Sequence, residues 1–580
     1  MSRLRPPSPS RLLALVALYA GGLIALTAPV WKAPTRRVLG QQDSDVWKHL
    51  WGDDWLRRSL GERLAIPLET NLIGFPDGGL LYNLDPLTGF AVWLLAPLTG
   101  LVLAHNLAQV GALLLGAVGA YALATHLLRD RAAAAVAGAI YGFSAHILSI
   151  SLASGIGETA HIGWLPLATL MLLKTLERPR ILTAAAAALC LALSAIGSWY
   201  YGLIAGLIAA VVSVWWWMRR GLTRAHLLAL TGIAAGALLL VLPSALAFLR
   251  SLRADGALNT AAAAGISARD LTPRFHAAVV TLSDLVWPRQ PRIQTRRDWL
   301  IFANHPGFLV VALALIAAGR ARWRPLLLAA VLLLALSLGP TVYLDRTTPL
   351  IANPLFALVS LLPGLDMLRN LERFQVAATL ALSVLGAAGA ARLLDARSLH
   401  GGRRWAAGLL LSGLVIAEAA VVSGLPMPLP WADTTVDPIY TRLAQLPPGS
   451  GIIELPLSTA PGGHVFWHQL THRQPIPVNL EGALPESLEN NPLLSALIPA
   501  RSANVSFLAV RDQPQTPADL EAGRLALIAQ GFAVITLSQR PDPETDLDAV
   551  QAVLLSVLGE PVLVGEGVEV FSLSLQPLPL

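Results

Sequence analysis

The sequence has little of what a soluble enzyme needs. Only 13% of its 580 residues are charged, against about a quarter in an ordinary globular domain. Its single cysteine, Cys190, lies in a hydrophobic run, which excludes an intrachain disulfide and a cysteine-based metal site. Lysine is missing altogether after residue 430. Hydrophobic residues instead make up 54% of the chain and come in long blocks, which is typical of a membrane protein.

The distribution of charge excludes a nucleic-acid partner. The net charge is +6, but residues 431–580 hold 16 acids and 6 arginines, a net of −10, so residues 1–430 carry +16. The basic residues of that first part are gathered in short loops between hydrophobic blocks. The positive-inside rule predicts this pattern for cytoplasmic loops of a membrane protein. We therefore expect membrane lipids around the blocks.

Placing the basic loops in the cytoplasm predicts a polytopic α-helical protein with about eleven transmembrane helices. The first run follows Arg3, Arg5 and Arg11 and lacks a small-residue cleavage site, so we interpret it as a retained span with a cytoplasmic N-terminus. The predicted spans are residues 12–31, 105–128, 132–150, 160–174, 181–198, 201–218, 225–249, 307–319, 325–343, 372–391 and 405–424.

Residues 1–430 are thus predicted to form a transmembrane domain with two large outer loops, 32–103 and 251–306. The first loop contains two predicted interfacial helices. Residues 45–60 carry tryptophan every fourth residue, a stripe that suits the lipid headgroup level, although an ordinary packed surface helix is the alternative. Residues 86–100 are apolar but too short to cross the bilayer.

Residues 431–580 are predicted to form a soluble α/β domain outside the membrane. Helical and strand patterns alternate there, and no phosphate-binding glycine motif is present. The predicted strands are residues 450–457, 532–537 and 561–575, and the predicted helices are residues 437–446, 518–530 and 545–558.

Two acids follow the first span directly. Asp43 and Asp45 lie one residue apart on non-helical chain, where they can share a divalent ion such as Mg²⁺ or Mn²⁺. One of them can alternatively accept a proton from an attacking hydroxyl. Two acids in a polar loop are also commonly just solvated. Asp53 and Asp54, farther along, are interpreted as helix surface.

A second candidate position lies in the outer loop between the third and fourth spans. Glu158 and His161 are three residues apart, so one helical turn puts both on the same side. We expect Glu158 at the catalytic rim and His161 at the substrate. A helix-capping acid and an interfacial histidine are the alternative.

Outer-face arginines are candidates for binding a lipid phosphate, because a guanidinium pairs with phosphate through two hydrogen bonds. The alternatives are anionic headgroups, pairing with the acidic tail, or self-neutralisation around Glu372. The candidates are Arg274, Arg296, Arg297, Arg369 and Arg373.

This layout resembles the GT-C superfamily of membrane glycosyltransferases. The resemblance depends on the first span, the acidic DSD segment at 43–45, the two interfacial helices and the second acid within GIGETAH at 155–161. It covers roughly residues 10–250. The segments GLDMLRNLERF (364–374) and SGIIELPL (450–457) also resemble uncharacterised bacterial relatives of the YfhO type. Departures are DSD in place of adjacent Asp-Glu, a second acid that is Glu rather than Asp, and no Trp-Trp-Asp acceptor motif.

The resemblance implies inverting transfer of a sugar from a polyprenyl-phosphate donor to an envelope acceptor, on the periplasmic side of the bacterial inner membrane. Asp43 or Asp45 would act as base or metal ligand, and Glu158 would support the metal or the acceptor. Two other functions are compatible with the sequence: a transporter or flippase for lipid-linked sugars, and a non-catalytic envelope assembly protein.

Overall fold

The fold is a helical bundle followed by a small mixed sheet. The computed structural model describes residues 9–66, 69–81, 85–254, 280–288, 301–345, 348–361, 370–457, 463–480, 484–488, 490–498, 515–539 and 545–574. The helices up to residue 254 are α1 (Pro9–Leu26), α2 (Ala28–Trp31), α3 (Val46–Arg63), α4 (Pro86–Thr99), α5 (Leu101–Leu128), α6 (Arg131–Gly142), α7 (Ala145–Leu148), α8 (Trp164–Glu177), α9 (Ile181–Gly197), α10 (Trp199–Arg220) and α11 (Arg224–Ala254).

Shorter helices and hairpins occupy the middle of the chain, and two long helices close the bundle. The helices are α12 (Leu282–Val286), α13 (Phe308–Ala318), α14 (Arg324–Ser337), α15 (Pro354–Val359), α16 (Phe374–Ala396) and α17 (Gly401–Val421). The strands of this half are β1 (Arg37–Leu39), β2 (Glu69–Thr70), β3 (Gly79–Leu80), β4 (Thr341–Tyr343) and β5 (Pro349–Ala352); β2 pairs with β3 and β4 with β5.

Seven helical segments of the described chain are long and apolar enough to cross a membrane. They are Pro9–Leu26, Leu101–Leu128, Arg131–Ala153, Trp199–Arg220, Arg224–Leu246, Leu371–Ala396 and Gly401–Val421. The other four predicted spans coincide with helices α8, α9, α13 and α14, which have 11 to 17 residues. The fold is multi-pass, and the number of eleven spans stays a prediction.

The centre of the bundle is the alanine-rich helix α6, which is buried along its length. Small side chains let neighbouring backbones approach closely, which is how helices associate where lipid removes the hydrophobic driving force. Gly138 of α6 lies against the backbone of Ala117 in α5, and Gly408 of α17 lies against the backbone of Ala132. The glycines and alanines of these runs therefore set the helix spacing.

Helix α3 corrects two sequence-based expectations. Trp47 and Trp51 are completely buried, and they pack on the C-terminal part of the chain rather than at lipid headgroups. The Trp51 indole N–H donates to Gln469 Oε1 at 2.8 Å. Asp53 and Asp54, expected on the helix surface, are each only 2% exposed. Protein therefore covers both the tryptophans and the two acids of this helix.

Both buried acids of α3 have cationic or imidazole partners, as burial of a carboxylate requires. Asp53 Oδ2 lies 2.6 Å from Nδ1 of His105 in α5. Asp54 accepts hydrogen bonds from Arg57, one turn along α3, and from Arg473, whose Nη1 is 3.0 Å away. One acid thus ties α3 to the bundle, and the other ties it to the C-terminal part.

The C-terminal unit, residues 431–574 as described, contains a four-stranded sheet of order β7-β8-β10-β9. Strands β7 and β8 are parallel, whereas β10 is antiparallel to β8 and to β9. Its strands are β6 (Trp431–Asp433), β7 (Gly451–Leu455), β8 (Phe532–Ser538), β9 (Leu563–Val564) and β10 (Val568–Ser572); its helices are α18 (Ile439–Leu443), α19 (His464–His472), α20 (Pro492–Leu497), α21 (Pro517–Ala529) and α22 (Leu547–Leu558).

A separate strand pair joins the C-terminal unit to the first outer loop. Strand β1 pairs antiparallel with β6, with Val38 opposite Ala432. The Arg37 guanidinium lies 3.9 Å from the centre of the Trp431 ring, a cation–π contact. The unit is therefore held to the loop that follows α1 as well as to α3.

Close helix packing can be tested at Gly389 of α16. A Cβ at this position would collide with the backbone carbonyl oxygen of Leu313 in α13. We expect Gly389→Ala to lower the unfolding temperature in detergent, since overpacking costs about 1–3 kcal/mol. Gly413→Ala is the matched control, because nothing lies within 4 Å of its added Cβ. Equal unfolding temperatures for the two variants would contradict the packing described.

Candidate functional site

The two acidic segments predicted from the sequence meet at one end of the bundle. Gly40, after α1, and Gly155, after the third span, pack backbone to backbone, with φ of +123° and +67°. A Cβ on Gly155 would lie 2.8 Å from Ser44 Oγ and 3.4 Å from Gly40 Cα. The Gln41 N–H donates to the Ala153 carbonyl at 3.1 Å. Asp43, Asp45 and Glu158 therefore share one rim.

Glu158 lies between two partners. Its Oε1 accepts a hydrogen bond from Arg373 Nη2 at 3.0 Å, and its Oε2 lies 3.2 Å from His49 Nε2. Burial alone would raise the pKa of Glu158, but the adjacent His49 imidazole and the charge of Arg373 outweigh it and hold that pKa well below its usual range. The carboxylate is thus ionised and fixed in place.

His49 lies on the first turn of α3 and is 8% exposed. Burial favours its neutral form, but the adjacent Glu158 carboxylate outweighs burial and raises the pKa of the imidazole. Asp45 adds to this effect and Lys48 opposes it. His49 is therefore the link between the first outer loop and Glu158.

Arg373 enters the rim from the short 3₁₀ turn that precedes α16. Its guanidinium lies 4.8 Å from the centre of the Tyr200 ring, and Nη1 lies 3.4 Å from Ser198 Oγ. Tyr200 Oη accepts a hydrogen bond from the Asn370 N–H at 3.0 Å. The junction between α9 and α10 thus fixes the direction of the arginine.

Asp43 and Asp45 point to different partners. The Asp45 carboxylate forms an ion pair with Lys48 one turn along α3. Asp43 Oδ1 instead lies 3.7 Å from His464 Nε2 in the C-terminal unit. We call Asp45, Lys48, His49, Glu158 and Arg373 the rim cluster; it contains two carboxylates and three groups that carry or can carry positive charge.

The rim cluster does not offer a ready-made metal site. Within the described ranges, no group of three or more His, Cys, Asp or Glu side chains is placed to hold a metal ion. A divalent ion at Asp45 and Glu158 would have to displace the ion pairs to Lys48 and Arg373. The expectation of Mg²⁺ or Mn²⁺ at Asp43, Asp45 and Glu158 stays a prediction.

His161 has a partner of its own. Its Nε2 lies 2.9 Å from both Asp85 Oδ2 and Thr88 Oγ1. Asp85 caps the N-terminus of α4 by accepting from the Leu87 and Thr88 N–H groups, each at 3.1 Å. His161 thus fixes helix α4 against the loop that carries Glu158, and its contact with substrate stays a prediction.

The other predicted phosphate-binding residues, Arg274, Arg296, Arg297 and Arg369, lie outside the described residues. The sequence interpretation missed His49 and Lys48 as site residues, because it took residues 45–60 as an interfacial helix. Their spacing could have indicated them, because residues three and four positions after Asp45 lie on the same face of a helix as Asp45.

A further polar group lies at the end of the third span. His146 Nδ1 is 3.0 Å from Asn304 Oδ1, which also accepts a hydrogen bond from Gln375 Nε2 at 3.4 Å. A π-helical turn at Ser149–Ala153 follows, and Ser149 Oγ accepts the Ala303 N–H. These bonds fix the extended segment before α13 inside the bundle. Gln375, which donates one of them, lies two residues after Arg373 in the chain.

The fold is similar to that of a solved membrane glycosyltransferase. Over 99% of this chain, it is similar to the mycobacterial arabinofuranosyltransferase AftD, with a TM-score of 0.54 and 15% identity. At this level of identity the similarity shows a shared fold and nothing about activity. The chain spans 42% of the length of that protein.

Two other solved structures are similar at lower scores. The oligosaccharyltransferase AglB from Archaeoglobus fulgidus, in complex with an inhibitory peptide and a dolichol-phosphate, matches 94% of this chain and 71% of its own, with a TM-score of 0.47 and 10% identity. ArnT from Cupriavidus metallidurans, bound to undecaprenyl phosphate, matches 98% and 99%, with a TM-score of 0.39 and 12% identity. No family model and no curated protein matches the chain.

The electrostatic link at Glu158 predicts a pH dependence. A raised histidine pKa contributes stability that is complete below the ordinary value of about 6.5 and is lost as pH rises through the raised value. A lowered carboxyl pKa contributes stability that is present at pH values above the ordinary carboxyl pKa of about 4.3. We expect the difference in unfolding temperature between wild type and Glu158→Gln to be larger at pH 5.5 than at pH 8.5, with a remainder at pH 8.5 from Arg373.

Glu560→Gln serves as the control, because Glu560 is exposed beyond the last helix. The control should show no such trend when unfolding is followed in detergent at both pH values. A pH-independent difference for Glu158→Gln would show that the histidine does not share its proton with this carboxylate.

Proposed function

We propose that the protein is a membrane glycosyltransferase that transfers a sugar from a polyprenyl-phosphate-linked donor to a hydroxyl of a cell-envelope acceptor. The observation that carries the proposal is the rim cluster, in which charged residues of two loops and one span meet on a fold of the GT-C type. Ionised groups at a membrane rim are costly, so a cluster that is retained there is a functional-site candidate.

Asp45 is the proposed general base. Its carboxylate is mostly buried, with 13% of the side chain exposed, and belongs to the same rim as Glu158. In the reaction, Asp45 takes the proton of the acceptor hydroxyl while the acceptor oxygen bonds to the anomeric carbon. The bond from that carbon to the phosphate oxygen breaks, and the electron pair leaves with the phosphate. Attack opposite the leaving group inverts the anomeric configuration.

Lys48 and Arg373 are the proposed partners of the departing phosphate. Negative charge increases on the phosphate as the glycosidic bond breaks, and fixed cations lower the energy of that state. Glu158 and His49 hold Arg373 and α3 in position. No step of this mechanism uses a metal ion.

The proposed location is the bacterial inner membrane, with the N-terminus in the cytoplasm and the rim cluster and C-terminal unit on the periplasmic side. The basic loops support this orientation. Arg404 pairs with Asp130, and Arg392 contacts the Ile316 carbonyl, so three basic turns gather at one end of the bundle. A branch of the YfhO type, implied by residues 364–374 and 450–457, stays part of the proposal.

The base assignment can be tested with paired carboxamide variants. We expect Asp45→Asn to lower sugar transfer by about 100-fold or more, the size of a general-base contribution. Asp43→Asn should keep sugar transfer within about threefold of wild type, because the Asp43 carboxylate is directed at the C-terminal unit and is not the proposed base. Release of free polyprenyl phosphate from donor lipids in proteoliposomes, followed by mass spectrometry, is the measurement.

Asp548→Asn, on the exposed face of α22, controls for the loss of a charge. All three variants should keep the wild-type unfolding temperature within a few degrees. Full transfer by Asp45→Asn would remove Asp45 from the chemistry, whereas absence of transfer by the wild type would leave the flippase or assembly functions in place of the enzyme.

Metal dependence has a separate test. Since the ion pairs of Asp45 and Glu158 occupy the carboxylates, we expect transfer to be unchanged after EDTA treatment and after addition of Mn²⁺ or Mg²⁺. Loss of transfer in EDTA with recovery on Mn²⁺ would show that a metal replaces Lys48 or Arg373 during turnover.

A further inference from the structure

A cleft of about 420 Å³ opens between the bundle and the C-terminal unit. One wall is the junction of α4 and α5, and the others are the chain after α2 and the segment after β6. Its lining includes Arg36, Thr99, Leu101, Thr434, Thr435 and Trp467. The volume is within the range of small-molecule sites.

Arg36 supplies positive charge to the cleft. Its carbonyl accepts hydrogen bonds from the N–H and hydroxyl of Thr434, at 2.9 and 3.0 Å, so its backbone is fixed. Its guanidinium forms no ion pair and no hydrogen bond among the described residues, and its charge acts on the nearby Asp433 carboxylate. The neighbouring Arg37, by contrast, donates to the Pro29 carbonyl and stacks on Trp431. Arg36 therefore has its donors available for an anion.

Three of the four threonine hydroxyls that line the cleft have their protons committed elsewhere. Thr99 donates to the Leu95 carbonyl at 3.0 Å, Thr434 to the Arg36 carbonyl, and Thr435 to the Asp433 carboxylate at 2.5 Å. Each of these hydroxyls can therefore only accept further hydrogen bonds, through the lone pairs of its oxygen. A ligand that fits must therefore carry an anion for Arg36 and hydroxyl donors for the threonines.

The surroundings of the cleft indicate a lipid. Helix α4 ends at the cleft, and Leu94 and Leu98 of that helix are 54% and 89% exposed. In a membrane-embedded fold, such an apolar face lies against acyl chains. The indole of Trp467 adds an aromatic wall, and its N–H is already bonded to the Thr434 carbonyl at 2.9 Å.

We propose that this cleft binds the polyol phosphodiester headgroup of a membrane lipid. The phosphate pairs with Arg36, the headgroup hydroxyls donate to the threonines, and the acyl chains lie along α4. The site is independent of the proposed transfer reaction. It contacts the first outer loop through Trp467, whose ring is 5.9 Å from Trp47, and through Asp433, whose N–H donates to Gln42 at 2.9 Å. A bound lipid thus stabilises the junction between that loop and the C-terminal unit.

The test is native mass spectrometry of the full-length protein titrated with phosphatidylglycerol. We expect Arg36→Gln to weaken the binding about five- to tenfold, the value of one charge-assisted phosphate contact. Arg322→Gln is the matched control: Arg322 lies in the turn before α14, near the basic end of the bundle, and should leave binding unchanged. Both variants should keep the wild-type unfolding temperature.

Three comparisons decide the chemistry. Phosphatidic acid, which has the phosphate but no polyol, should bind more weakly than phosphatidylglycerol, and phosphatidylcholine should bind weakest. Soluble glycerol 3-phosphate should compete poorly. Equal binding by wild type and Arg36→Gln would overturn the proposal. Full competition by glycerol 3-phosphate would show a site for a free phosphate ester and overturn the assignment to a lipid.

Discussion

The close contact between Gly40 and Gly155 is the constraint on which the rim cluster depends. A Cβ on Gly40 would lie 3.0 Å from the Gly155 Cα, so any side chain would push the two loops apart. Helix α3 begins just after the first glycine, and Glu158 follows the second by three residues. Their approach therefore sets the distance between Glu158 and His49, and the pair is close enough to offset the cost of burying charge.

Helix α3 belongs to both halves of the protein. Asp53 pairs with His105 of the bundle, while Trp51 bonds to Gln469 of α19 and Asp54 to Arg473, the residue directly after that helix. Breaking one member of a buried ion pair leaves an uncompensated charge, which costs about 3–5 kcal/mol. The C-terminal unit is therefore part of the structure that holds the rim cluster, and its position bears directly on the site.

The bundle could be predicted from the sequence because its signals are local. The predicted span 181–198, for example, is helix α9 at Ile181–Gly197, since an apolar run marks its own ends. The surroundings of α3 could not be predicted. A tryptophan stripe shows that one face of the helix is covered. It does not distinguish lipid from protein as the cover, because both are apolar. The partners of Asp53 and Asp54 lie 52 and 419 residues away in sequence. Within the site, Glu158 and the acids near residue 45 were found, whereas Arg373 was seen only as one of several arginines.

The pairing of Trp51 with Gln469 spans 418 residues and has a consequence for biosynthesis. At about 5–20 residues per second, the ribosome needs roughly 20–80 s to make the partner after the tryptophan has emerged. During that interval the apolar face of α3 lacks the protein surface that covers it in the finished molecule. The apolar face of the nascent helix therefore stays without its partner until the last quarter of the chain has been made.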